Sequence, residues 1–308
     1  MSTTVSGTRA SAAPVENTTP RSRVILASLI GTTIEFYDFY IYATAAVAVF
    51  PVLFFPAKDA TTELLASFAT FGVAFVARPL GSIIFGHFGD KIGRKATLVG
   101  ALLTMGIATF IIGLLPTYHQ IALWAPTMLT IMRFCQGLGL GGEWSGAALL
   151  ASEYAKEGKR ARAAMWPQLG APIGFVLANG FMLILTSFIA FNSTTDAKNL
   201  EHPFLVWGWR IPFLLSIVMV AVGLYVRFRL EETPVFAMAA ANNEKVKTPL
   251  VEAFKVAWWP MIQGTFIMVA CYVLFYLMTA WVLSYGIGKA DKGGLAIPYR
   301  EFLIIQLI

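Results

Sequence analysis

Glu35 and Asp38 stand three apart in Glu35-Phe-Tyr-Asp38-Phe-Tyr, inside an apolar run long enough to cross a bilayer. Helical spacing puts both carboxylates on one face, with aromatic side chains around them. Two carboxylates in a low-dielectric cleft repel, so one of them is suited to carry a proton. The alternative is a pair held permanently by arginines of neighbouring helices, and two further runs supply such arginines. Arg78 lies in Ala77-Arg78-Pro79-Leu80-Gly81, where the proline removes a backbone donor and leaves a carbonyl for the guanidinium. Arg133 and Gln136 lie on adjacent turns of a later run, and Gln136 and Glu143, seven apart, share a stripe. A guanidinium facing a wet cavity suits a carboxylate substrate, which it clamps bidentately without losing its charge at any ordinary pH. Arg133 could equally pair with Asp38 or Glu35. A pair that closes when the carboxylate is ionised and opens when it is protonated would couple proton entry to substrate binding. Each charge within lipid costs about 2.5–3.5 kcal/mol on insertion scales, so each requires a partner or a water-filled cavity.

The elements that must position these groups are membrane helices. The chain is 57% apolar and 13% charged, against roughly 45–50% and about 25% for a soluble domain. Its mean hydropathy is +0.68. A soluble chain of this composition could not cover its own surface, whereas lipid accepts apolar faces. Seven segments reach the ~20 residues of a span, at 24–50, 62–85, 96–116, 121–150, 163–191, 206–226 and 257–283. The expected class is therefore all-α and integral to the membrane, with no strands. The fifth segment carries Pro167, Gly170, Pro172 and Gly174, which predicts a bent, closely packed helix with Gln168 and Asn179 open to a polar cavity.

Domain limits follow from the charge pattern. Residues 1–22 are polar and rich in Ser, Thr and Ala, and read as a disordered cytoplasmic tail. Residues 23–226 form six spans, 227–255 a polar linker with a helix start at Thr233-Pro234, and 256–308 a seventh span and the start of an eighth. With a cytoplasmic N-terminus, the inside holds 15 of the 23 Lys and Arg residues, which orients the chain. Trp124, Trp207, Trp209, Trp258 and Trp259 fall near span ends, as interfacial belts would place them.

Several function classes are excluded by pattern. The net charge of +6 sits in short clusters between apolar runs, not along a nucleic-acid-binding face. Cys135 and Cys271 lie in apolar segments with no C-x-x-C and no His at ligand spacing, so neither disulfide nor metal is expected. Gly137-Leu-Gly139-Leu-Gly141-Gly142 spells the dinucleotide fingerprint, but it follows no strand and reads as a helix-packing stripe. There is no Walker motif, no cofactor motif and no nucleophile–base set, so an enzyme is not expected. Ala43-Thr44-Ala45 mimics a signal cleavage site, yet the run before it is too long and contains Glu35 and Asp38.

Between the second and third runs lie Gly86-His-Phe-Gly89-Asp90-Lys91-Ile-Gly93-Arg94-Lys95. These read as a tight turn in which Gly86, Gly89 and Gly93 permit close approach, Asp90 caps the next helix, and Lys91, Arg94 and Lys95 form a cationic cluster. This stretch resembles the loop signature of the major facilitator superfamily. The resemblance extends, in order, through Glu35-Phe-Tyr-Asp38-Phe-Tyr-Ile-Tyr42, Phe75-Val-Ala-Arg78-Pro-Leu-Gly81, Arg133-x-x-Gln136-Gly-x-Gly139, Gly141-Gly-Glu-Trp144, Trp207-Gly-Trp-Arg-Ile-Pro212 and Glu231-Glu-Thr-Pro-Val-Phe236. Together these are similar to the metabolite:proton symporter branch, whose members carry shikimate, oxoglutarate, citrate, proline or betaine.

The resemblance implies a twelve-helix fold of two six-helix bundles rocking around a central site lined by helices one and four. It implies proton coupling by Glu35 and Asp38, substrate or charge-pair roles for Arg78, Arg133, Gln136 and Glu143, and a gating role for Gly86, Asp90, Gly93, Arg94 and Lys95. The expected partners are a small metabolite, a carboxylate by preference, and the lipid of a cytoplasmic membrane. No protein partner is required, and no cofactor beyond the proton as coupling ion. The fifth span only partly matches the motif of antiporters, which favours symport. The last run, Phe302-Leu-Ile-Ile-Gln-Leu-Ile308, covers about 10 Å of a core of about 30 Å. The chain therefore reads as the first bundle with one helix and a stub of the second, and the competing expectation is a truncated fragment without transport activity.

Overall fold

The computed structural model describes residues 20–57, 59–155, 158–191, 196, 199–229, 249–290 and 293–308. For Arg21, Asp90, Arg94, residues 144–149, Glu153 and residues 249–254 it describes the backbone only. The expected linker start at Thr233-Pro234 and most of the expected tail lie outside the described residues. Helices account for nearly all of the described chain, and no strand occurs among those residues.

Helix α1 (Arg21–Ala48) crosses first and turns through the short α2 (Phe50–Phe54). Helix α3 (Ala60–Ile92) begins at Asp59, whose carboxylate accepts from the backbone N–H groups of Thr61 and Thr62 at 3.1 and 3.2 Å. That cap satisfies two donors with no partner in the first turn. Helix α3 runs on through Gly86–Ile92, so the expected ten-residue turn contracts to Gly93 alone, at φ 109°. A reversal in direction requires one residue in this region of backbone space, and glycine supplies it. Interior Gly86 and Gly89 each weaken a helix by only about 1 kcal/mol. Helix α4 (Arg94–Leu114) starts directly at Gly93, and the capping role expected of Asp90 falls on a side chain outside the described residues.

The short α5 (Tyr118–Ile121) leads into α6 (Trp124–Glu153), which packs along both α3 and α4. The glycine stripe makes that packing possible. A Cβ on Gly137 would meet the Ala74 carbonyl at 2.7 Å, one on Gly141 would collide with the Arg78 carbonyl, and one on Gly139 would meet the Ala101 carbonyl at 2.7 Å. The dinucleotide-like letters are thus a helix interface, as expected. The fifth crossing is broken into α7 (Arg160–Gln168) and α8 (Gly170–Ile189). At the break, the Thr32 hydroxyl of α1 donates to the Pro167 carbonyl at 2.7 Å. A π-helical turn (Phe204–Gly208) precedes α9 (Arg210–Phe228). Arg210 donates to the carbonyls of Gly113 and Leu115 at 2.8 and 2.7 Å, closing the C-terminal end of α4.

Helix α10 (Pro249–Tyr276) bends at Ala257, passes into a second π-helical turn (Leu277–Trp281) and continues as α11 (Val282–Ile287). The final α12 (Tyr299–Leu307) packs on α8 through buried Tyr299, Phe302 and Leu303. Six helical segments among the described residues are long and apolar enough to cross a membrane. Helix α6 falls outside that set because Arg133, Gln136, Glu143 and its glycines lower its hydropathy. Its polar groups are sheltered by α1, α3, α4 and α7. The fold is thus a six-helix bundle, followed by a seventh crossing and the start of an eighth. Trp209, expected at the interface, is fully buried against Phe50, Phe54 and Phe213, and its indole N–H donates to the Leu205 carbonyl at 3.0 Å.

Candidate functional site

A cavity of about 550 Å³ opens between α1, α3, α6, the α7–α8 break and α10. Glu35 of α1 and Arg78 of α3 both line it, with Gln168 and Ser82 as neutral polar groups. Its remaining wall is largely aromatic, built from Phe36, Phe39, Phe75, Tyr272, Phe275 and Tyr276. Arg78 Nη1 donates to the Tyr276 hydroxyl at 3.2 Å, and the guanidinium lies 5.5 and 5.6 Å from the ring centres of Phe39 and Phe75. Among the described residues, neither Arg78 Nε nor Glu35 Oε2 has a hydrogen-bond partner. No ion pair joins the two side chains. A carboxyl and a guanidinium group therefore line one cavity without a direct salt bridge.

Asp38 leads elsewhere. Its Oδ2 accepts from the Thr109 hydroxyl at 2.8 Å; Thr109 Oγ1 accepts from Gln136 Nε2 at 2.7 Å; and Gln136 Oε1 accepts from Arg133 Nη1 at 3.1 Å. This chain links α1, α4 and α6 in place of a direct Asp38–Arg133 pair. Arg133 is fully buried beneath Tyr42, whose ring centre is 3.9 Å away, and Phe71 at 4.9 Å. Aromatic faces thus supply the stabilisation that water cannot, about 2 kcal/mol for a desolvated contact. Arg133, Gln136 and Glu143 do not line the cavity, contrary to the expectation that Arg133 faces it.

Glu143 forms an ion pair with Arg227 of α9, which also donates to the Leu98 carbonyl at 2.6 Å. Gly31 of α1 lies against this pair, and any side chain there would collide with it. By sequence position Arg227 falls in the polar linker; α9 instead extends past residue 226 and buries it. Of the glycine-rich signature, Gly86 and Gly89 lie in the last turns of α3 and Gly93 forms the reversal. Lys95 donates to the Phe228 carbonyl at the end of α9, at 2.9 Å. The side chains of Asp90 and Arg94 lie outside the described residues. Asn179 faces Thr44 of α1, not the cavity.

Thr109, Tyr272, Phe275, Tyr276 and Arg227 were not singled out from the sequence. A hydroxyl such as Thr109 in an apolar run carries no distinguishing pattern. The π-helical turn after Tyr276 marks the α10 wall only in the structure.

A membrane-spanning helical bundle enclosing a charged, aromatic-walled cavity defines a solute-handling membrane protein. Residues 24–256 match the sugar (and other) transporter family. The chain belongs to this family of the major facilitator superfamily. It is 53% identical over 283 residues to the inner membrane metabolite transport protein YhjE of Escherichia coli, covering 92% of this chain and 62% of that protein. It is 39% identical over 291 residues to the shikimate transporter of Escherichia coli, covering 93% and 62%. A crystal structure of a D-xylose-proton symporter superposes with a TM-score of 0.62 at 15% identity, covering 93% of this chain and 65% of that one. The chain thus spans less than two thirds of the length of these relatives. They are transporters, not enzymes, and the chain is a multi-pass membrane protein.

Proposed function

We propose that the chain serves proton-coupled symport of a small organic acid, with the cavity between Glu35 and Arg78 as the site where proton and substrate meet. The observation that carries this reading is that one carboxylate and one guanidinium line the same cavity without a salt bridge between them. A substrate carboxylate that docks on Arg78 brings a second negative charge next to Glu35. In a low-dielectric cleft one cation cannot offset two anions, so loading is favourable when Glu35 takes up a proton. The proton thereby travels with the substrate. Asp38, sealed into its hydrogen-bond chain, holds α1 in register with α4 and α6. No resident cofactor enters this scheme; the proton is the coupling ion.

The named transport of shikimate by one relative supports a carboxylate as cargo. The inner-membrane name of another supports a cytoplasmic-membrane location, and the Lys and Arg distribution supports a cytoplasmic N-terminus. A second reading rests on the aromatic wall: ionised Glu35 with Phe36, Phe39 and Phe75 would hold the cationic end of a zwitterion. The test is external pH in lightly buffered, de-energised cells expressing the chain, pulsed in turn with monocarboxylates, dicarboxylates and betaine. Alkalinisation with a carboxylate, absent in vector-only cells, is the expected result. A pH trace identical to vector-only cells for every solute, from inserted protein, would contradict the proposal. Betaine uptake without a pH change would select the second reading.

A further inference from the structure

A second cavity, of about 350 Å³, lies where α6 ends and α7 begins, and shares no lining residue with the Glu35 cavity. Its floor is apolar, formed by Ile25 of α1, Ala151 of α6 and Ala163 of α7. Its rim carries two cations, Lys159 and Arg162, with Trp166 beside them. Gly158, at φ 76°, directly precedes Lys159, which caps the start of α7. Lys159, just before α7, and Arg162, in its first turn, both line the cavity. Among the described residues neither makes an ion pair. Trp166 is 38% exposed, four residues or about 6 Å further along α7 than Arg162.

We propose that this cavity binds the phosphate of an anionic phospholipid, with its glycerol and first acyl carbons on the apolar floor. The place in the fold selects this ligand. The connection between two crossings lies where lipid gives way to water, and an indole at that depth prefers the headgroup level. Basic pockets between membrane helices at the headgroup level recognise anionic lipids, because the phosphate gains two cations that water would otherwise screen. A free soluble phosphate shares the charge chemistry but makes no use of the apolar floor. Bound lipid would bridge α1, α6 and α7 at the same boundary where Lys95 joins α4 to α9.

The experiment reconstitutes the 308-residue chain in phosphatidylcholine nanodiscs doped with phosphatidylglycerol, and counts retained lipids by native mass spectrometry. The wild-type chain is expected to retain phosphatidylglycerol selectively. Lys159→Gln with Arg162→Gln should weaken that retention on the order of thirty-fold, at about fivefold for each cation, and leave phosphatidylcholine retention unchanged. Exchanging the two residues, Lys159→Arg with Arg162→Lys, should restore it. Both positions are exposed, so insertion is expected to persist in every variant and is checked by the same spectra. Equal phosphatidylglycerol retention by wild type and the double glutamine variant would overturn the proposal. So would displacement of the lipid by excess inorganic phosphate, which would assign the cavity to a soluble anion.

Discussion

Glu35 and Asp38 sit on the same helix less than one turn apart, yet they occupy opposite kinds of environment. Asp38 ends a closed relay of side chains, Thr109, Gln136 and Arg133, roofed by Tyr42 and Phe71. Glu35 lines a cavity that Arg78 also lines, where a ligand can reach it. Among the described residues Asp38 Oδ1, Arg133 Nε and Arg133 Nη2 also lack hydrogen-bond partners, as Glu35 Oε2 does, so what sets the relay apart is that it lies off the cavity and ties three helices together. A carboxylate and a guanidinium that both line a cavity are poised to accept a ligand or a proton. The comparison separates a positioning region from a reacting one, and each can be disturbed without the other.

The largest expected effect lies outside both regions. Arg227→Ala leaves Glu143 buried without its ion pair, and should destabilise the bundle by about 3–5 kcal/mol, read as a lowered unfolding temperature in detergent. Adding Glu143→Gln to that variant should recover much of the loss, since the uncompensated charge is then gone. Recovery confined to a functional readout would show that the pair is not a structural tie.

Arg78→Ala comes next. It should reduce uptake on the order of 100-fold, from the roughly 3 kcal/mol of a charge-assisted hydrogen bond, while insertion and unfolding temperature hold. A fall in stability as large as that of Arg227→Ala would place Arg78 in the positioning class instead. Thr109→Val should act the other way, costing about 1–2 kcal/mol of stability by stranding Asp38 Oδ2 and Gln136 Nε2, with solute exchange retained. If Thr109→Val abolishes exchange as completely as Arg78→Ala, the division between sealed relay and open cavity fails.

The membrane class and the positions of the spans were legible because lipid demands long apolar runs. The glycine stripe at Gly137, Gly139 and Gly141 was legible for the same reason: close helix contact needs small residues at helical spacing. The parting of Glu35 from Asp38 was not. Residues three apart differ by about 60° around a helix, enough to reach different neighbours when several helices crowd one face. Which neighbours those are depends on packing between segments distant in sequence. Arg227 shows the same limit: hydropathy ends a span at the first charge, while Glu143, the partner that draws this charge inward, lies 84 residues earlier. The signature from Gly86 to Lys95 was legible as a reversal, but its extent was not. Helix α3 continues through Ile92, and only Gly93 leaves helical geometry.

The central claim is that Glu35 carries the coupled proton, and the most direct test is Glu35→Gln compared with wild type in two assays on the same proteoliposomes. One assay is counterflow exchange of a transported carboxylate, which needs substrate binding but no net proton movement. The other is accumulation driven by an imposed pH gradient. The account predicts that Glu35→Gln retains exchange and loses gradient-driven accumulation. Gradient-driven accumulation by Glu35→Gln at the wild-type level would contradict it.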